Sequence, residues 1–308
     1  MSRWTADDIP DQAGRTFIVT GANSGLGYIT TRELARRGAH VVMAVRNEAR
    51  GEEALEKLRV GQPEARLEVR RLDLSDLDSV STFAKGVIAD GIPVDVLVNN
   101  AGIMMPPRSL TAQGFEVQFG VNHLAHFALT GLLLDVLAAG SGGRVVTVSS
   151  ALHKKGSIHW DNLNGERRYF PVTFYTQSKF ANILFGLELD RRLRASAAPV
   201  RSLMAHPGYA ATNLQSAGPT GLLNLVLKIT NRFIAKDAGT GALSQLYAAT
   251  HPDAEGGQFI GPGERGESKG YPTVVQPVKT ALDPDAAERL WGLSEELTGV
   301  RYHFVPAT

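Results

Sequence analysis

Short apolar runs alternate with longer amphipathic stretches through most of this chain, and each run is too short to make a helix. Phe17-Ile18-Val19, His40 to Val45, Leu67 to Leu72, Val94 to Val98, Arg144 to Val148 and Val200 to Ala205 read as strands. Helix-sized segments separate them, among them the stretch running to about Arg37 and Ala49 to Leu58. This alternation predicts an α/β fold, a doubly wound parallel sheet with helices on both faces. No repeat, low-complexity tract or long linker interrupts it, so a single domain over residues 1–308 is expected. The rhythm changes from about Asn213 to Lys236, a segment rich in Leu, Ile and Val that also holds Gly218, Pro219 and Gly221 and reads as a small lid insertion. A last short strand, Gln258-Phe259-Ile260, follows between glycines.

Composition narrows the possible functions. With 308 residues, 43% of them hydrophobic, the chain can bury a substantial core. Its 32 basic and 31 acidic residues are spread along the sequence and leave a formal charge of +1, so no strong field favours nucleic acid or an anionic membrane. The absence of cysteine removes disulfides, thiolate catalysis and cysteine metal sites together. Met1 to Arg15 carries Asp7, Asp8 and Asp11 and lacks the apolar core of a secretory signal, which predicts a cytoplasmic protein. Leu222 to Ile229 is broken by Asn224 and Lys228 and is far shorter than the roughly 20 residues a bilayer crossing needs, so no transmembrane segment is expected.

Candidate chemistry begins where the first strand ends. Thr20-Gly21-Ala22-Asn23-Ser24-Gly25-Leu26-Gly27 places three glycines between strand and helix. The backbone can therefore bend sharply and approach a pyrophosphate held by the free N–H groups of the helix. After the second strand, where an NAD-binding fold presents an acidic residue to the ribose 2′-hydroxyl, Val45 is followed by Arg46, with Arg50 nearby. Arginine there suits a 2′-phosphate. Asp73, ending the third strand, is a candidate adenine contact or a cap for the next loop. Far downstream, Ser149-Ser150 closes a strand, and Tyr175 precedes Lys179 by four residues. On a helix that spacing sets phenol and ammonium on one face, about one turn apart, and a neighbouring cation is expected to lower the phenol pKa towards a useful range. Together these features predict a nicotinamide-dependent oxidoreductase, with NADP(H) preferred and NAD(H) also admissible.

With these residues on the page the chain resembles the short-chain dehydrogenases/reductases, over roughly residues 14 to 263. The matching elements are residues 20 to 27, Asp73-Leu74, Asn99-Asn100-Ala101-Gly102, Asn122, Ser150, Tyr175 with Lys179, and Pro207-Gly208 with Thr212. Asn99 to Met105, Val121 to Phe127, Tyr175 to Asn182 and the long interval from Ser150 to Tyr175 are most similar to the retinol dehydrogenase-like branch. The resemblance implies a Rossmann-type fold, with a cofactor-binding half at about 14–150, a catalytic and substrate part at about 151–308, and the lid at about 213–236. It implies cofactor contacts from Gly21, Asn23, Ser24, Gly25, Leu26, Gly27, Arg46, Asp73, Leu74, Asn99, Ala101, Gly102, Tyr175, Lys179, Pro207, Gly208 and Thr212. Tyr175 would then exchange the proton with the substrate oxygen, and Lys179 would stabilise the phenolate and hold the nicotinamide ribose. Ser150 would hydrogen-bond the oxygen where charge develops, and Asn122 would widen its helix and fix a water beside Lys179.

Other candidates are weaker. Ser149 is the neighbouring alternative to Ser150, but the family position favours Ser150; Tyr169 has Thr173 where a lysine should stand. His123 and His126 lie three apart, with no third ligand nearby, and read as helix-surface or packing residues, so no metal is expected. Lys154-Lys155 and Arg167-Arg168 read as solvated loop residues. The apolar part of the lid is read as a cover for the active site, with a membrane-surface helix as its alternative. The expected substrate is a lipophilic alcohol, aldehyde or ketone, and a homo-oligomer is compatible. A catalytically silent NADP-binding regulator or scaffold, and a double-bond reductase of protochlorophyllide reductase type, remain the competing readings.

Overall fold

The computed structural model describes residues 3–140, 142–208, 238–304 and 306; the lid expected at 213–236 and Thr212 lie outside the described residues. Eight strands form one sheet in the order β3-β2-β1-β4-β5-β6-β7-β8. They are β1 Thr16–Thr20, β2 His40–Val45, β3 Arg66–Arg71, β4 Val96–Asn99, β5 Gly143–Val148, β6 Val200–Ala205, β7 Phe259–Glu264 and β8 Lys269–Val275. The first seven run parallel, in register pairs such as Val19 with Met43 and Val98 with Val146. The sheet is therefore Rossmann-like, as the sequence predicts, with one correction: β8 turns back antiparallel on β7 and closes the edge.

Successive strand residues point to opposite faces, and here both faces are apolar. Phe17, Val19, Val41 and Met43 pack under helices α1 (Gly25–Arg36) and α2 (Glu48–Gly61) and under Ala242 and Leu246 of Ala238–Thr250. Ile18, Val42, Leu97 and Val145 pack on the other side against α3 (Leu77–Ala89), α4 (Val117–Ala138) and α5 (Pro171–Ala195). In chain order Ala238–Thr250 is α6 and Pro284–Thr298 is α7. The parallel strands aim their carboxyl ends at one rim, so the residues that follow β1, β2, β4, β5 and β6 gather there.

Candidate active site

Two glycines of the first turn adopt backbone that side chains resist: Gly21 has φ +67° and Gly25 φ +54°. Gly27 is in an ordinary helical position but has no room for a side chain. A Cβ on it would overlap the Gly21 carbonyl oxygen and stand 2.6 Å from Asn100 Nδ2. Ser24 holds the N-cap position of α1, yet its side chain caps nothing, and the first backbone donor used locally is Tyr28, bonded to Ser24 O. The N–H groups before it lie in the first turn, where a helix has no internal acceptors to offer. A glycine cradle with free donors fits a pyrophosphate, and in a dinucleotide site Gly21 to Gly27 would hold it.

The neighbouring turns lock onto this one. Asn100 donates from Nδ2 to Thr20 O at 2.7 Å, and its backbone N–H and that of Ala101 both reach Thr20 Oγ1 at 2.9 Å. Gln245 of α6 donates to Asn100 Oδ1 at 3.1 Å. Asn99 turns its side chain into the fold, donating to Thr130 on α4. Arg46, the first residue beyond β2, is exposed and makes no ion pair or hydrogen bond among the described residues. Asp73 caps its own loop: Oδ1 accepts from the backbone and hydroxyl of Ser75, at 2.9 and 2.6 Å. That geometry supplies the capping role directly, leaving any adenine contact to the other carboxyl oxygen. Leu74 is buried in the apolar layer beside Leu72, and Pro207-Gly208 follows β6 at the same rim.

The downstream residues meet at the ends of β5 and α5. The Ser150 hydroxyl, which accepts from Leu152 N at 3.2 Å, stands close enough to the Tyr175 phenol to lower its pKa. Lys179, one turn beyond Tyr175, donates to the Val148 carbonyl at 3.1 Å, with Nζ 5.9 Å from the Tyr175 ring centre. Asn122 lies in a π-helical turn, Gly120–Leu124, inside α4, so the expected local widening is present. Its side chain accepts from Ile103 N at 2.8 Å and donates to Ile103 O and to Ser178 Oγ. A Cβ on Gly102 would touch both Asn122 Oδ1 and Lys179 Nζ, which places these two groups around one small opening. Ser149 points away, its hydroxyl bonded to the Lys179 carbonyl.

Burial changes the expected electrostatics. The Tyr175 phenol is pushed up to about 12, chiefly because it is desolvated, with the nearby Ser150 hydroxyl pulling the other way. The lowering expected from Lys179 is absent, since that ammonium faces a carbonyl and is itself pushed down to about 8 by burial. Tyr169 is bonded instead to Gln118, Glu116 and the Pro106 carbonyl, and it braces the loop after Gly102. Lys154 pairs with Glu267 at 2.7 Å, so that basic residue is not merely solvated.

His153 escaped the sequence reading. It is buried, its Nδ1 lies 2.7 Å from the Ser150 carbonyl, and Nε2 accepts from Val278 N at 3.2 Å, so it pins the Ser150 loop to the C-terminal part. Its one sequence signal is a histidine three residues after the strand-ending serine.

A short-chain dehydrogenase family model matches residues 15–220. The polyprenol dehydrogenase of Mus musculus is 42% identical over 302 residues, covering 94% of this chain and 86% of the relative. Retinol dehydrogenase 12 of Homo sapiens is 40% identical over 291 residues, covering 94% and 88%. The chain belongs to the short-chain dehydrogenases/reductases, in the retinol dehydrogenase-like branch. It is an oxidoreductase acting on CH–OH groups. Among solved structures, a putative uncharacterized protein from Mycobacterium Paratuberculosis is similar with a TM-score of 0.82 and 46% identity, covering 98% of this chain and all of that one. A putative NAD(P) dependent gluconate 5-dehydrogenase from Beutenbergia cavernae, solved with bound NADP, is similar with a TM-score of 0.62 and 26% identity, over 81% and 95% of the two chains. A nicotinamide cofactor follows from family and neighbour together.

In this dehydrogenase α4 is long and apolar enough to cross a bilayer by composition, but 72% of its most apolar window is buried inside the fold. Its two histidines are core residues, not surface ones. His123 bonds Ser294 of α7 and packs on Phe119 and Phe185; burial holds it down to about 3, and His126 down to about 4. Both sit below the unfolded value near 6.5, so the unfolded chain binds more protons between those limits. Stability is therefore full above about pH 6.5 and falls as the pH drops towards 4. Thermal melts from pH 7 to 4.5 should show this loss, and His123→Gln, which takes up no proton, should lose less over the same range.

Proposed function

We propose that this protein is an NADP(H)-dependent oxidoreductase that interconverts a lipophilic alcohol with its aldehyde or ketone, using Tyr175 as general acid and base. The observation that carries this reading is the half-buried Ser150 hydroxyl beside the buried Tyr175 phenol, with Lys179 one turn away, at the rim that also bears the glycine cradle. Gly21 to Gly27 would hold the dinucleotide, which when bound would supply or accept the hydride at the carbon bearing the substrate oxygen. Ser150 then hydrogen-bonds the substrate oxygen, where negative charge develops in reduction. Tyr175 delivers its proton to that oxygen, and a phenol held at about 12 is protonated across the physiological range, the form that reduction needs. Lys179 would hold the ribose of a bound nicotinamide and return the proton along a path past Asn122. The preference for NADP(H) rests on the exposed Arg46 guanidinium, unpaired among the described residues, which matches a phosphate's geometry and charge. A lipophilic substrate fits the relatives named for retinol and polyprenol.

The test is a homologous series of aldehydes from butanal to decanal, with retinal alongside, followed by NADPH absorbance. Each buried methylene contributes about 0.8 kcal/mol, so kcat/KM should climb by orders of magnitude along the series. A flat series or a preference for polyols would overturn the lipophilic assignment and leave the oxidoreductase intact.

A further inference from the structure

A second polar chain runs through the core beside these groups, and the reaction as described does not use it. Thr20 closes β1 just before the glycine turn. Its hydroxyl oxygen accepts from the backbone N–H groups of Asn100 and Ala101 at 2.9 Å and lies 3.0 Å from His126 Nε2. The other ring nitrogen of His126, Nδ1, lies 3.2 Å from the Asn122 carbonyl oxygen. A carbonyl can only accept, so Nδ1 carries the ring proton; Nε2 is then an acceptor, and the Thr20 hydroxyl donates to it. The Val98 carbonyl, 3.4 Å from the same hydroxyl, is a longer alternative acceptor, so the shorter bond to Nε2 sets the direction of the chain; Thr20, Asn122 and His126 are at most 1% exposed.

Simple packing does not account for this arrangement. An apolar side chain of similar shape would fill the space without the cost of desolvating an imidazole. That cost is visible in the ring, pushed to about 4 by burial, with the Asn122 carbonyl raising it and the Lys179 charge lowering it further. The Asn122 side chain is already fixed by Ile103 and Ser178, so His126 addresses the backbone carbonyl alone. A fully satisfied buried network of this kind specifies geometry between the elements it joins. The elements here are the glycine turn, the Asn99–Gly102 turn and the π-helical turn that carries Asn122.

We propose that His126 is a positioning residue that ties the dinucleotide turn to the Asn122 carbonyl, so that seating the cofactor and orienting the proton path from Lys179 are coupled. The proposal rests on the roles given above to Asn122 and Lys179.

Three variants separate the two ends of the link. His126→Asn keeps a donor near the Nδ1 position, close to the Asn122 carbonyl, and cannot reach Thr20. His126→Gln keeps an acceptor near the Nε2 position for Thr20 and gives up the carbonyl. His126→Leu loses both. With NADPH and decanal, His126→Leu should lose about 10–100-fold in kcat and bind NADPH several-fold more weakly, as expected for misplaced reacting groups. His126→Gln should lower kcat while the NADPH Kd stays within about twofold, and His126→Asn should do the reverse. The solvent deuterium isotope effect on kcat should grow in the Leu and Gln variants, because the proton path becomes slower than hydride transfer; a purely structural role would not move it. Equal losses in all three variants, with an unchanged isotope effect, would overturn the proposal, as would wild-type kcat and Kd throughout. If His126→Leu does not fold, the Asn and Gln pair decides. Lys179→Met is measured in parallel: full turnover there overturns the underlying mechanism and this proposal with it, whereas a dead Lys179→Met beside wild-type-like His126 variants overturns this proposal alone.

Discussion

Tyr175→Phe is expected to bind NADPH as tightly as the wild type and to turn over about a thousandfold more slowly or worse. The substitution keeps the ring that packs in the site, where Tyr175 is only 4% exposed, and deletes only the hydroxyl beside Ser150. A positioned general acid contributes about 10²–10⁴ in rate, and among the described residues no second phenol is placed to replace it. Tyr169, a described tyrosine nearby, is committed to Glu116, Gln118 and the Pro106 carbonyl. Fluorescence titration with NADPH and single-turnover kinetics separate binding from chemistry. A Tyr175→Phe protein with near-normal kcat would move the general acid elsewhere.

The second large effect lies at the opposite end of the cofactor. Replacing Arg46 by Asp should invert the cofactor preference, from NADPH favoured by about 10–100-fold to NADH favoured, since charge-assisted hydrogen bonds contribute about 1.5–3 kcal/mol each. Arg46 stands exposed at the end of β2 with no carboxylate partner among the described residues, so the guanidinium is available to a 2′-phosphate and no internal ion pair is lost on mutation. The new carboxylate would repel that phosphate and accept from a ribose hydroxyl instead. Measuring kcat/KM for both cofactors in both proteins checks it, and tighter use of NADH by the wild type would remove Arg46 from this role.

Much of this molecule is written in local pattern. The central parallel strands are legible because they are covered on both faces and so become apolar runs, as in Val41 to Val45. β8 is not legible in the same way: Lys269–Val275 is half exposed, contains Gly270 and Pro272, and pairs through an irregular register at Pro262 and Glu264. The spacing from Tyr175 to Lys179 places both on one helix face, but it says nothing about desolvation. That is why the phenol, expected to be lowered, is instead raised by burial. His126 reads as a packing residue because its partner Thr20 is 106 positions away, and no local pattern encodes such a bond. The same holds for His153 and Val278, 125 positions apart.

Hydride transfer itself is tested most directly by isotope. The protein is incubated with decanal and NADPH carrying deuterium at both C4 positions of the nicotinamide, and the product alcohol is analysed by mass spectrometry. One deuterium should appear on the carbinol carbon, at a rate matching NADPH consumption, and Tyr175→Phe should give almost none in the same time. Alcohol formed without deuterium, or no alcohol formed from any lipophilic carbonyl under saturating NADPH, would contradict the proposed reaction.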